Sequence, residues 1–135
     1  MRKITKELLE SPRPTYIRIA RSGVPVIYDE ETEFKIGKAH RLTDGKDAAI
    51  IVCGQLVATA LQAAEELKEE GIDISVVDMY TIKPLDTEMI EAVAKRMRMY
   101  SYTGRAQSLW WTWRCCCRGG CTDRNGSVRH LRNSG

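Results

Sequence analysis

The chain has 135 residues, with 21 Lys/Arg against 18 Asp/Glu, and its net charge of +3 hides a division: residues 1–95 hold 13 basic and 17 acidic side chains, whereas residues 96–135 hold eight arginines, no lysine and one aspartate. One domain-sized core is expected at this length. No apolar run approaches the roughly 20 residues of a membrane span, and the charges in "MRKITKELLE" exclude a secretory leader, so the sequence reads as cytoplasmic, where disulfides are not expected.

In chain order, "ITKELLE" (4–10) has helical spacing but is too short to stand alone in water. "SPRP" breaks the chain, and "TYIRIAR" (15–21) alternates with period two in β-branched and aromatic residues, which predicts a strand. Residues 22–46 are loop-rich and read as a linker leading into a domain, with one short strand near 34–36 and another near 40–42. From Asp47 the pattern sharpens. "AAIIVC" (48–53) is a continuous apolar run, the mark of a strand buried on both faces of a parallel sheet. Residues 55–71 place Val57, Ala60, Leu61, Ala64 and Leu67 on one helical face, with Gly71 at the position that closes a helix. "IDISVVDM" (72–79) predicts the next strand, and Asp86 is placed to cap a helix over "TEMIEAVAKR". Strand, helix, strand, helix with short connections implies a right-handed crossover and an α/β sheet.

Ligands of open α/β sheets bind at the carboxyl ends of strands, which directs attention to Cys53–Gly54–Gln55 and to the turn from Asp78 to Lys83. The first lacks both glycine-rich phosphate signatures. Cys53 reads as a small hydrophobe ending a buried strand. Asp78 reads as a turn former or cap, with no second carboxylate or histidine placed to work with it, and His40 as an exposed residue in a polar loop. No catalytic, cofactor or metal residue is assigned from these patterns.

The run from "YIRIARSGVPV" through "AAIIVCGQLVATALQAAEELKEEG" to "DMYTIKPLD" closely resembles the C-terminal section of transketolase and is similar, more distantly, to deoxyxylulose-phosphate synthase and the beta subunits of 2-oxo acid dehydrogenases. The resemblance covers about residues 4–95. It implies an α/β three-layer sandwich with a mostly parallel sheet, incomplete at its C-terminal end. By it, residues 1–21 resemble the last helix and strand of a pyrimidine-binding domain, 22–46 a linker, and 47–98 a truncated C-terminal-type domain. It further implies ketol transfer between sugar phosphates in an intact enzyme that uses thiamine diphosphate and magnesium, neither bound by this chain. An N-terminal transketolase section and a homo-oligomer are the implied partners; a non-catalytic subunit that pairs with such a section is the alternative. The family's substrate-phosphate arginine matches Arg21, which the residues alone make a solvated arginine at a strand end.

Residues 99–135 depart from this pattern. "WWTWRCCCRGGC" (110–121) holds all three tryptophans and four of the five cysteines. Three adjacent cysteines diverge, so Cys115, Cys116, Cys117, Cys121 and His130 make a poor zinc set. Arginines among tryptophans would attract polyanions by charge, without specific nucleic-acid recognition. Read one base later, the codons of "MYSYTGRAQ" permit C-I-V-T-Q-E-E-H and those of the Trp/Cys run permit G-G-L-G-D-A-V-A-E-V-V-A, the family's glycine loop and final helix. The tail is therefore expected to be out of frame, the slip falling between Lys95 and Met99, with residues 105–135 largely disordered. The lost segment would leave a sheet edge unpaired, although "RMYSYTG" is β-prone enough to take the place of the missing strand.

Overall fold

Two apolar runs form the centre of the sheet. In the computed structural model, which describes residues 2–10, 13–19, 21, 23–96 and the backbone of 99–103, β2 (Ala48–Val52) pairs in parallel with β3 (Ile74–Asp78), from Ala48 opposite Ile74 to Val52 opposite Asp78. β1 (His40–Arg41) lies antiparallel on the far side of β3, and β4 (Met99–Thr103) lies parallel on the far side of β2, giving the order β1-β3-β2-β4. The β-prone segment does take up the edge beside β2, with Val52 opposite Thr103.

Because side chains alternate across a strand, each central strand feeds two cores. Ile50 and Val52 of β2 and Ile74 and Val76 of β3 meet Val57, Ala60 and Ala64 of α2 (Val57–Glu69) on one face. Ala49, Ile51 and Val77 meet Ile90 and Val93 of α3 (Thr87–Arg96) on the other, with Met79. This is the three-layer α/β arrangement expected, and it explains why the strands lack polar alternation.

Helix ends follow the capping signals. Gly71 adopts φ 86°, and its N–H and that of Ile72 donate to Lys68 O (3.0 Å) and Leu67 O (2.9 Å), closing α2 in a Schellman motif. Asp86 Oδ1 accepts Met89 N–H at 3.0 Å, the N-cap bond of α3. Gly45 is buried where a Cβ would stand 2.2 Å from the Ile74 carbonyl carbon, so the loop before β2 closes on β3 only with glycine.

Two expectations need correction. The described residues of the expected strand 15–21 form no strand; no described strand lies beside them to complete a ladder, and Tyr16 and Ile19 are exposed. No strand forms near 34–36, because Ile36 N–H goes to the Glu7 carboxylate (2.9 Å) and Gly37 turns at φ 85°. The short strand expected near 40–42 is present as β1 (His40–Arg41), which supplies the sheet's antiparallel edge. The expected short N-terminal helix is present as α1 (Arg2–Glu10), tied to residues 30–36 through Lys3 Nζ, which donates to Glu30 O and Thr32 O, and through Glu7. Residues 105–135, with their cysteines and tryptophans, lie outside the described residues.

Candidate functional site

The carboxyl end of β3 carries the densest polar chemistry among the described residues. Asp78 is the last residue of β3 and stands opposite His40 of β1, so the antiparallel pairing puts their side chains on one face. Asp78 is only 4% exposed, and its Oδ2 accepts the Tyr28 hydroxyl at 2.5 Å. The aromatic rings of Tyr28, Phe34 and Tyr80 pack with His40 at centroid separations of 4.9–5.5 Å, with His40 stacked on Tyr80. Asp78 Oδ1 and His40 Nε2 are both buried without a protein partner, as is Glu7 Oε2.

Electrostatics follow from this burial. Desolvation pushes the Asp78 carboxyl above the usual carboxylate range, opposed by the Tyr28 hydrogen bond and by His40. Burial and the bond to Asp78 raise the Tyr28 phenol, and burial raises Tyr80. Tyr28 thus keeps its proton and remains a donor throughout the neutral range.

Residues 28–39 form a strap across this end of the sheet. The Tyr80 hydroxyl donates to Lys35 O at 3.0 Å and accepts Lys35 N–H at 3.2 Å. Gly37 N–H donates to Thr81 Oγ1 at 3.2 Å, and Ala39 N–H to Asp86 Oδ2 at 2.9 Å. Asp86 therefore serves α3 and the strap at once.

These positions revise the reading of single residues. His40 is half-buried within an aromatic cluster, not an exposed bystander, and Asp78 has both a tyrosine and a histidine beside it. Sequence inspection missed them because the contacts join residues 38 and 50 positions apart; the available signal was Tyr28 and Phe34 in an otherwise polar loop. Cys53 follows β2 in extended backbone and is half-buried, beside a short 3-10 turn at Gly54–Leu56. Arg21 is exposed, and no described contact joins it to this cluster. No three His, Cys, Asp or Glu side chains among the described residues converge to hold a metal ion. Chemically, the cluster sets a buried carboxylate with one tyrosine hydroxyl donor beside a histidine packed among aromatic rings.

Comparison with known proteins gives this fold its relatives. The family model "Transketolase, C-terminal domain" matches residues 37–105, about half of the chain. The chain belongs to the transketolase C-terminal domain family. It is 44% identical over 95 residues to one subunit of an apulose-4-phosphate transketolase of Phocaeicola vulgatus, covering 70% of this chain and 30% of that protein. To a putative transketolase C-terminal section of Methanocaldococcus jannaschii it is 42% identical over 92 residues, covering 67% and 29%. A solved split-gene transketolase, described as an inactive beta4 tetramer, superposes with TM-score 0.72 at 33% identity over 84% of this chain and 40% of that one. This transketolase C-terminal domain therefore spans about a third of the length of the curated relatives it matches. No helix among its described residues is long and apolar enough to cross a membrane.

Proposed function

We propose that this chain works as the C-terminal section of a transketolase assembled from more than one polypeptide, transferring a ketol unit between sugar phosphates only when joined to an N-terminal section. The observation that carries the reading is the family match over residues 37–105 in a chain whose relatives include a separate transketolase subunit and a C-terminal section. The N-terminal section would hold thiamine diphosphate and magnesium, which supply the carbanion chemistry. In this reading residues 1–21 belong with a preceding domain, and Arg21 reaches a substrate phosphate as a bidentate donor. The exposed Tyr16, Ile19, Val24 and Val26 favour a segment covered by that section. Homo-oligomerisation is supported by the tetrameric state described for the split-gene relative.

The tail from about Met99 is read as an out-of-frame product, supported by the change of composition after residue 95. The nucleotide sequence around Lys95 tests this, since an uninterrupted frame with codons incompatible with the shifted reading would overturn it. The functional reading is tested by assaying the purified chain with thiamine diphosphate, magnesium and sugar phosphates. No turnover is expected from the chain alone, and ketol transfer without a partner would refute it. If the partner binds but no transfer follows, the non-catalytic subunit reading stands instead.

A further inference from the structure

Of the large hydrophobic side chains that the described residues expose, all but Leu9 and Ile72 lie between Tyr16 and Ile27, just ahead of the strap. Val26 is 92% exposed, Tyr16 88% and Ile19 69%. Apolar exposure this concentrated marks a surface that a partner covers. Among the described residues no backbone–backbone hydrogen bond joins 14–27 to the rest of the chain, so the donors and acceptors of this segment are open to a partner as well.

The charges on either side select that partner. Residues 13–21 carry Arg13, Arg18 and Arg21 and no acid, whereas residues 29–33, at the near end of the strap, carry Asp29, Glu30, Glu31 and Glu33 and no base. The two ends do not neutralise each other within one copy. Among the described residues Arg13, Arg18 and Arg21 make no ion pair, and of the acidic run only Glu33 has one, with Lys35 at 3.8 Å. The acidic run is held in place, since Lys3 Nζ donates to Glu30 O and Thr32 O and Asp29 Oδ1 accepts Thr32 N–H at 3.1 Å. A strip that is basic at one end, apolar in the middle and acidic at the other complements itself about a two-fold axis, where every contact is made twice with the partners exchanged. A polyanion or an anionic lipid surface would meet the arginines but be repelled by the acids beside them; a second copy satisfies both ends.

We propose that residues 13–33 form a self-complementary interface for a second copy of this chain, the arginine end of each copy meeting the Asp29–Glu33 end of the other with the apolar side chains covered between them. Burial of those side chains supplies the affinity, and the charges set the orientation. The inference deepens the homo-oligomer part of the functional reading above and rests on it: the second copy occupies the strip when the N-terminal section, to which the same segment is assigned, is absent.

Analytical ultracentrifugation of the full chain over a dilution series, with a reductant present so that thiols cannot cross-link copies, reads the assembly directly. Wild type should sediment at twice the 15.3 kDa of the chain or more and dissociate on dilution. Arg13→Glu/Arg18→Glu and Glu30→Lys/Glu31→Lys change only exposed positions, so both variants should keep the wild-type circular dichroism. Each sets like charges against each other and should raise the dimer Kd by about tenfold or more. Mixed in equal amounts, the two should recover a heterodimer of wild-type affinity, because each supplies the sign that the other lacks. A wild-type chain that stays monomeric, variants that pair as wild type does, or a mixture of folded variants that stays monomeric would each overturn the interface. Ketol transfer with the N-terminal section is measured separately, so a chain that is monomeric alone yet active with that section would sink the self-pairing and leave the functional reading standing.

Discussion

Replacing Asp86 by alanine removes two bonds that join different parts of the domain. Oδ1 accepts Met89 N–H at 3.0 Å and Oδ2 accepts Ala39 N–H at 2.9 Å, and the side chain is buried. Loss of an N-cap costs about 1 kcal/mol. The Ala39 amide, left half-buried without an acceptor, adds about 1–3 kcal/mol. The sum, about 2–4 kcal/mol, is a large fraction of the stability of a small domain. Urea unfolding followed by far-ultraviolet circular dichroism should show it as a midpoint lowered by about 1–2 M, for a slope of about 2 kcal/mol/M. Asp86→Asn keeps one acceptor oxygen and should lose about half as much. A loss below about 0.5 kcal/mol for the alanine variant, the scatter of ordinary surface substitutions, would refute the assignment of Asp86 as a shared cap.

Gly45→Ala forces a Cβ to within 2.2 Å of the Ile74 backbone, so the β2–β3 contact must open; destabilisation above about 2 kcal/mol, or failure to fold, is expected, and a wild-type urea midpoint would contradict it. Gly71→Ala meets open space but keeps φ at 86°, so only the left-handed conformation is penalised, by about 1–2 kcal/mol in the same titration, and no loss would mean that α2 closes in another way. Tyr28→Phe deletes the donor to Asp78 and should cost about 1.5–3 kcal/mol near neutral pH, as for a bond to a charged group. Because burial raises the Asp78 carboxyl, its contribution is present at low pH and lost as pH rises through its folded value. Removing Tyr28 raises that value further, so the loss in Tyr28→Phe should shrink on acidification; a loss that grew as pH fell would contradict the argument.

The parts of the fold that depend on local pattern were legible in the sequence. The unbroken apolar run Ala48–Cys53 announced burial on both faces, and Gly71 and Asp86 marked helix boundaries that the backbone confirms. What could not be read depends on pairing at a distance. Period-two alternation in residues 15–21 announces a strand, but a strand forms only beside another, and none of the described strands reaches it. His40 lies in a polar stretch that gives no hint of its burial, and only the β1–β3 register brings it opposite Asp78. Tyr28 and Phe34 carried a signal, as aromatic residues in a polar loop must be covered by something, but not the identity of their partners. The residues after Lys95 follow a different logic. Their β-prone start pairs with β2 whether or not it was selected to do so, because an open parallel edge accepts any segment able to extend beside it.

The central claim is that this transketolase C-terminal domain is one section of an enzyme whose cofactor site lies elsewhere. The direct measurement is ketol-transfer rate as the chain is titrated into a fixed amount of an N-terminal transketolase section, with thiamine diphosphate, magnesium and sugar phosphates present. Activity that is absent from either polypeptide and rises to saturation as the chain is added is the expected result. Full turnover by this chain without the N-terminal section, or an N-terminal section whose rate and assembly state ignore the chain, would contradict it.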